Sequence, residues 1–208
     1  QDSPLHTPDV LLSLARQEGI LQDFELLCVF TALAQWGQHE APGRLFVNIS
    51  ADALVHGVAL VGAEMLGETV RSFGLSARML VLEITEHERV SDMPMLRQAI
   101  KAVHACGARV ALDDFGDGRS SLRLWSEVKP DFVKIDKYFI REISDRPDNL
   151  QMLQAIKGIA DVFGTTLIAE GIENSLQRKI LADLGCDSGQ GYWFAAALPA
   201  RQAVEWLR

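Results

Sequence analysis

The chain has 208 residues, which suits one α/β domain, since a single β/α barrel commonly occupies about 200–250 residues. Hydrophobic residues make up 48% and charged residues 23%, as in globular proteins with a sizeable core. The net charge of −8 argues against DNA or another nucleic-acid backbone as the main partner, because the sequence has no Lys and Arg clusters to neutralise it.

The cysteines and the apolar runs bear on the compartment. Cys28, Cys106 and Cys186 are far apart and match no zinc or redox spacing, which predicts buried free thiols in a reducing, cytoplasmic setting. No apolar run approaches the roughly 18–20 residues of a membrane span, so no direct membrane contact is expected. The chain starts without Met, and we expect it to be part of a longer protein that could itself be membrane-anchored.

The predicted elements alternate between helix and strand. A helix from Pro8 to about Glu18 is followed by a second at 22–36, whose core-facing residues are predicted to be Phe24, Leu27, Cys28, Thr31 and Leu33. Strands are then predicted at 45–50, 79–85, 108–112, 132–136, 166–170 and 190–194, with helices at 59–73, 93–106, 121–127, 149–163, 175–184 and 199–207. This alternation predicts a parallel sheet in a β/α fold. Six strands do not close an eight-stranded barrel, so either two strands are missing from the front or the sheet is open.

Polar residues recur at the carboxyl end of each predicted strand. They are Asn48, Glu83, Asp113 with Asp114, Lys134 with Asp136, Glu170, and Gln190. Each alone has a structural explanation as a helix cap, a solvated acid or a turn residue. Six such strand ends in succession favour a common site, because these ends converge on one face of a β/α barrel.

The residue types at these ends indicate a metal. Asp113 and Asp114 are adjacent acids after an apolar strand, and like charges in such a setting require a cation. Five acids and two amides, without Cys or His, favour Mg²⁺ or Mn²⁺, and so many carboxylates suggest two ions that activate a water against a phosphate. Lys134 is expected to stay protonated and to orient that water or bind a phosphate oxygen.

Together these segments resemble a known family. FVNIS (46–50), LEITE (82–86), DDFGDGRSSL (113–122), VKID (133–136), IAEGIEN (168–174) and GCDSGQGYWF (185–194) are similar, in order and spacing, to the EAL domain family. The resemblance implies a modified TIM-type β/α barrel that hydrolyses cyclic di-GMP to linear pGpG. It covers about 7–207, so residues 1–208 are interpreted as one EAL-type domain lacking its first strand or strands.

The resemblance also implies roles for single residues. The metal ligands would be Asn48, Glu83, Asp113, Asp114, Asp136 and Glu170, and the catalytic residues Lys134, Glu170 and Asp114. Gln190 and Glu173 would complete the site or contact the substrate, and Glu86 would anchor the loop after Asp114. Tyr192 and Trp193 follow Gln190 closely enough that one of the two is expected to point to the pocket. Trp125, Tyr192 and Trp193 could stack guanine, although packing is the commoner fate of such aromatics.

Some features depart from the family pattern and leave alternatives open. The glutamate of the motif that names the family is absent from this sequence, Asp117 stands for the usual Thr, and Arg119 for the usual Tyr. A catalytically inactive cyclic di-GMP receptor or protein-interaction module is therefore the main alternative. Another Mg²⁺-dependent barrel enzyme, with Lys134 as a base, is a third. The expected partners are cyclic di-GMP, a second copy of the chain, and an upstream sensory or GGDEF domain.

Overall fold

The computed structural model describes residues 7–85, 90–116 and 121–207. Its strands are β1 (Leu45–Asn48), β2 (Leu80–Thr85), β3 (Arg109–Phe115), β4 (Phe132–Ile135), β5 (Thr166–Ala169) and β6 (Ser188–Gly189). Its helices are α1 (Pro8–Gln17), α2 (Leu21–Gln38), α3 (Ala51–Val61), α4 (Leu66–Ser72), α5 (Met93–Cys106), α6 (Ser121–Val128), α7 (Lys137–Arg141), α8 (Pro147–Phe163), α9 (Ser175–Asp183) and α10 (Ala200–Leu207), with a 3₁₀ turn at Ala77–Met79. The predicted alternation of helix and strand is confirmed.

The strands form one curled parallel sheet in the order β1-β2-β3-β4-β5-β6. Because all strands run the same way, their carboxyl ends meet at one edge, as predicted. Within the described ranges β1 and β6 are the edge strands, so the sheet is an open half-barrel.

Two cores lie on opposite faces of this sheet. The larger one fills the space between the sheet and the surrounding helices, and includes Ile84, Leu112 and Ile135. The smaller one lies inside the curl and comprises Val81, Ala111, Phe132 and Ile168, with Phe46 packed against it. Side chains alternate between the faces of a strand, so the residue two positions after each member of the smaller core also faces inward.

The helix predicted at 59–73 is wrong in its bounds. Two helices, α3 and α4, occupy this region, and α3 starts eight residues earlier than predicted. Ser50 belongs to the cap of α3 rather than to β1, because its hydroxyl accepts a hydrogen bond from the Ala53 amide at 3.1 Å. Gly62 ends α3 with a φ of 86°, which only glycine adopts readily.

The strand predicted at 190–194 is also wrong. β6 is Ser188–Gly189, and the chain then turns against Ile172, whose amide donates to the Gln190 carbonyl at 3.0 Å. Gly191 has a φ of 151°, and a Cβ there would lie 2.3 Å from the backbone N and O of Ile172. The turn therefore depends on a glycine that the sequence pattern had placed in a strand.

The core face predicted for α2 is wrong apart from Leu33. The buried residues of α2 are Leu26, Val29 and Leu33, whereas Leu27 and Cys28 are exposed. Apolar residues occupy all sides of this helix, with polar residues scattered among them, so periodicity could not identify its core face. The prediction of a buried thiol fails at Cys28 for the same reason.

Two aspartates fasten neighbouring strands at the amino-terminal edge of the sheet. Asp131 accepts the Val110 amide at 3.0 Å and pairs with His104 and Arg109, and Asp187 accepts the Leu167 amide at 3.0 Å. Burial alone would raise the pKa of Asp131, but the hydrogen bonds from His104, Val110 and Arg109 lower it to about 2. These contacts hold β3 against β4 and β5 against β6.

Among the described residues, no single helix has both the length and the apolar character to cross a membrane. The pair Ala51–Val61 and Leu66–Ser72 meets both criteria only when its members are joined across a 91° bend.

Candidate functional site

Three buried polar residues lie at the carboxyl ends of adjacent strands. Glu83 on β2, Asp113 on β3 and Lys134 on β4 expose only 5%, 7% and 6% of their surface. Each comes two positions after a residue of the inner core, namely Val81, Ala111 and Phe132. The strand alternation therefore directs them to the inside of the curl, above an apolar floor.

Lys134 joins acids from three strands. Its Nζ lies 2.9 Å from Glu83 Oε1, 2.8 Å from Asp113 Oδ1 and 2.7 Å from Glu170 Oε1. Burial by itself would lower the pKa of Lys134, but the charges of Glu83 and Asp113 and hydrogen bonds to Asp113 and Glu170 raise it well above its ordinary value. Lys134 is therefore an ammonium ion at any physiological pH.

The acids outnumber this single cation. Burial raises the pKa of Glu83 and of Glu170, and the nearby Lys134 offsets this only in part. The charges of Asp113 and Asp114 push both values further upward. Within residues 7–85, 90–116 and 121–207, four carboxylates and one ammonium ion make up this group, and the excess of negative charge favours the binding of a further cation.

A β-bulge brings two consecutive acids to the same place. The register of β3 against β4 shifts between Leu112 and Phe115, and Asp114 has a φ of 54°. As a result, one ligand atom each from Asp113, Asp114 and Glu170 lies within 4.8 Å of the other two. Such a group of carboxylate oxygens could hold a metal ion.

The donors fit a hard divalent cation. All are oxygens, and Mg²⁺, Mn²⁺ and Ca²⁺ prefer such ligands. Glu83 Oε1 is buried and lies 2.9 Å from Lys134 Nζ. It nevertheless accepts no well-aligned hydrogen bond from the described part of the chain. A buried carboxylate oxygen with spare bonding capacity is what a metal ligand requires.

Two amides flank the acids. Asn48, at the end of β1, is paired in register with Glu83, and Gln190 donates from Nε2 to Glu170 Oε1 at 2.6 Å. Asn48 lines a cleft of about 580 Å³ together with Glu83, Asp113 and Asp114. The structure thus gathers Asn48, Glu83, Asp113, Asp114, Lys134, Glu170 and Gln190 at one edge of the sheet.

The outer wall of this cleft comes from the first two helices. Its apolar lining includes Leu11 and Leu12 of α1 and Phe24 of α2, and its polar lining includes Glu25 and Cys28. Partial desolvation by the neighbouring side chains and the charge of Glu25 raise the pKa of the Cys28 thiol. Sequence reasoning missed this wall because it assigned Cys28 to the core.

Other predicted site residues lie apart from the acidic group. Asp136 caps α7, accepting the Tyr138 amide on Oδ1 at 2.7 Å, and lines a separate groove of about 300 Å³ with Glu173. Tyr192 is 78% exposed. Trp125 is fully buried and donates from Nε1 to Thr165 Oγ1 at 3.1 Å, so it serves packing. Glu86, Asp117 and Arg119 lie outside the described residues.

Curated relatives of the chain include two proteins of Pseudomonas aeruginosa. The cyclic di-GMP phosphodiesterase PA2567 is 31% identical over 205 residues, covering 97% of this chain and 34% of the relative. The bifunctional diguanylate cyclase/cyclic di-GMP phosphodiesterase MucR is 30% identical and covers 96% of this chain and 29% of the relative. The chain spans about a quarter to a third of the length of the curated relatives it matches.

A solved structure is also similar to this chain. The complex of Klebsiella pneumoniae BlrP1 with manganese and cyclic di-GMP is similar with a TM-score of 0.76 at 28% identity, covering 85% of this chain and 45% of BlrP1. The family model of the EAL domain matches residues 1–197. With the curled parallel sheet and the acids at its carboxyl edge, these matches establish that the chain belongs to the EAL domain family.

Proposed function

We propose that this chain is a metal-dependent phosphodiesterase that hydrolyses one phosphodiester bond of cyclic di-GMP, releasing linear pGpG. The observation that carries the proposal is the convergence of Glu83, Asp113, Asp114 and Glu170 around Lys134 at one edge of the sheet. Relatives named as cyclic di-GMP phosphodiesterases, and a relative solved with manganese and cyclic di-GMP, support the choice of substrate.

The proposed cofactor is a pair of Mg²⁺ or Mn²⁺ ions. Asn48, Glu83, Asp113 and Glu170 would hold one ion and Asp114 the other. Asp136, which caps α7, would join them only with its side chain turned away from the Tyr138 amide. Bound there, such ions supply Lewis-acid stabilisation of the phosphate and lower the pKa of water. The close approach of the ligand atoms of Asp113, Asp114 and Glu170 supports this assignment.

The protein's own groups would orient the reaction. Lys134 donates hydrogen bonds to Asp113 and Glu170, and its third ammonium proton would be directed toward the attacking water or a nonbridging phosphate oxygen. Glu170 accepts from both Lys134 and Gln190 on Oε1, which would keep its second oxygen available as a ligand. The apolar cleft wall of Leu11, Leu12 and Phe24 would exclude water from one side of the substrate.

Product analysis tests this function. The full protein is incubated with cyclic di-GMP in Mn²⁺, in Mg²⁺ or in chelator, and the nucleotides are separated chromatographically. We expect pGpG to form with metal and not with chelator, and D113N to abolish it. A folded protein that binds cyclic di-GMP but leaves it intact with either metal would refute the enzymatic proposal.

A cyclic di-GMP receptor is the second candidate, and one observation favours it. Lys134 lies within 2.9 Å of three carboxylates, so the site has an internal cation that stabilises the acids without metal. A receptor would bind cyclic di-GMP with unchanged affinity in chelator. An enzyme with the proposed site would bind more tightly in the presence of Ca²⁺, an ion also found with cyclic di-GMP in BlrP1.

The remaining partners belong to the whole protein. An upstream GGDEF or sensory domain is supported by MucR, whose name describes both diguanylate cyclase and phosphodiesterase functions. We further propose a homodimer and a cytoplasmic location for the domain. Light scattering of the full protein, with and without cyclic di-GMP, tests the dimer.

A further inference from the structure

Glu25 makes a long-range contact at the corner between β1 and α3. It lies on α2, and its Oε2 accepts hydrogen bonds from both the amide and the hydroxyl of Ser50, the former at 3.2 Å. The same hydroxyl accepts the Ala53 amide at 3.1 Å and thereby caps α3. The carboxylate thus fixes the rotamer of the cap, through charge-assisted bonds that are stronger than neutral ones.

This corner begins directly after Asn48. On one side the Ile49 amide donates to the Glu83 carbonyl at 2.9 Å, which ties the peptide to β2. On the other side Glu25 holds Ser50. The backbone that carries the Asn48 side chain is therefore fixed between a strand that bears a proposed metal ligand and a carboxylate on a separate helix.

A second carboxylate braces the next part of the corner. Asp52, in the first turn of α3, accepts the Ser91 hydroxyl at 2.6 Å and the Ser91 amide at 3.3 Å. Ser91 precedes α5, so this bond connects the corner to the chain that follows β2. The Glu25 bond is the one that faces the cleft, since Glu25 and Ser50 both line it with Asn48, Glu83 and Asp113.

We propose that Glu25 is a positioning residue. By holding Ser50, it keeps the backbone of Asn48 in the place from which the Asn48 side chain can bind a divalent cation held by Glu83 and Asp113. The inference rests on the proposed function. Outer groups that hold a metal ligand in place contribute to metal affinity although they do not touch the ion. Glu25 acts through the Ser50 backbone and hydroxyl, so a neutral acceptor of similar shape retains part of the effect.

Calorimetric titration of the full protein with Mn²⁺ tests the role. We expect E25A to weaken Mn²⁺ binding about 10-fold or more, and E25Q, whose amide oxygen still accepts from Ser50, by only about threefold. The matched control is D23A, which removes another acid of α2 with an exposed contact to α3, at His56. D23A is expected to bind Mn²⁺ within about twofold of the wild type.

A double-mutant cycle with S50A guards against misfolding as the explanation. The effects of E25A and S50A on Mn²⁺ affinity are expected to be less than additive, because both remove the same bond. If E25A does not fold, the Mn²⁺ affinities of E25Q and S50A are compared with that of the wild type instead. The positioning role then requires that S50A weakens Mn²⁺ binding. Additive effects, or equal losses in E25A and D23A, overturn the positioning role.

The same titration separates this inference from the proposed function. N48A is measured beside E25A. If N48A weakens Mn²⁺ binding and E25A does not, the role of Glu25 is refuted and the proposed metal site is not. Unchanged Mn²⁺ binding in N48A and D113N refutes the proposed metal site, and the role of Glu25 with it.

Discussion

Replacing Lys134 with methionine tests the electrostatics of the site. The change keeps the length of the side chain but removes the ammonium, which lies 2.7–2.9 Å from three carboxylate oxygens. Removing one partner of a buried ion pair leaves uncompensated charge and typically costs about 3–5 kcal/mol. For a chain of this size, such a loss lowers the melting temperature by about 6–20 °C.

The same variant should respond more strongly to metal. The ammonium and a divalent cation both neutralise the carboxylates of Glu83, Asp113 and Glu170, so loss of the ammonium leaves more negative charge for the metal. We therefore expect Mn²⁺ to raise the melting temperature of K134M by more than it raises that of the wild type, although K134M should not turn over cyclic di-GMP.

Differential scanning calorimetry in chelator and in Mn²⁺ measures both effects. K179M is the control, because the Lys179 pair with Asp183 is exposed and its loss should shift the melting temperature by only about 1–2 °C. The proposed electrostatics of the site are wrong if K134M without metal has the same melting temperature as K179M. They are also wrong if Mn²⁺ raises the melting temperature of K134M by less than that of the wild type.

Three further predictions concern other parts of the fold. The pKa of Asp131 is lowered from 3.8 to about 2, so its stabilising effect is complete above pH 4 and lost as the pH falls toward 2. Urea unfolding of D131N should therefore show about 1–2 kcal/mol less stability at pH 7 and a flatter acid limb, and an unchanged limb would count against the prediction. G191A should destabilise the protein and weaken Mn²⁺ binding, because its Cβ would meet Ile172 at 2.3 Å, whereas G158A, in open space on α8, should stabilise by about 0.5–1 kcal/mol. W125A should cost about 3–5 kcal/mol and leave Mn²⁺ affinity unchanged, and a specific loss of cyclic di-GMP binding would show that Trp125 is more than a core residue.

The sequence predicted the parts of the fold that depend on local pattern. Apolar strands at regular spacing predicted the parallel sheet, and the position of polar residues at their ends predicted that Glu83, Asp113 and Lys134 meet. These residues repeat with the alternation of a strand, and parallel strands end at one edge, so no long-range information was needed.

The parts that depend on distant contacts could not be predicted in this way. The core face of α2 was misassigned because apolar and polar residues are mixed around the helix. The contact between Glu25 of this helix and Ser50 spans 25 residues of chain. The turn at Gly191 is set by Ile172 on another segment. The bulge at Asp113 and Asp114 appears only when β3 is paired with β4.

We propose that the acids at this edge of the sheet bind divalent ions next to a phosphodiester of the substrate. The most direct measurement is an anomalous difference map from crystals of the full protein grown with Mn²⁺ and cyclic di-GMP. We expect manganese peaks within about 2.3 Å of carboxylate oxygens of Asp113, Asp114 and Glu170. If manganese is found only elsewhere and Lys134 is the cation that neutralises these acids, the proposed metal site is wrong.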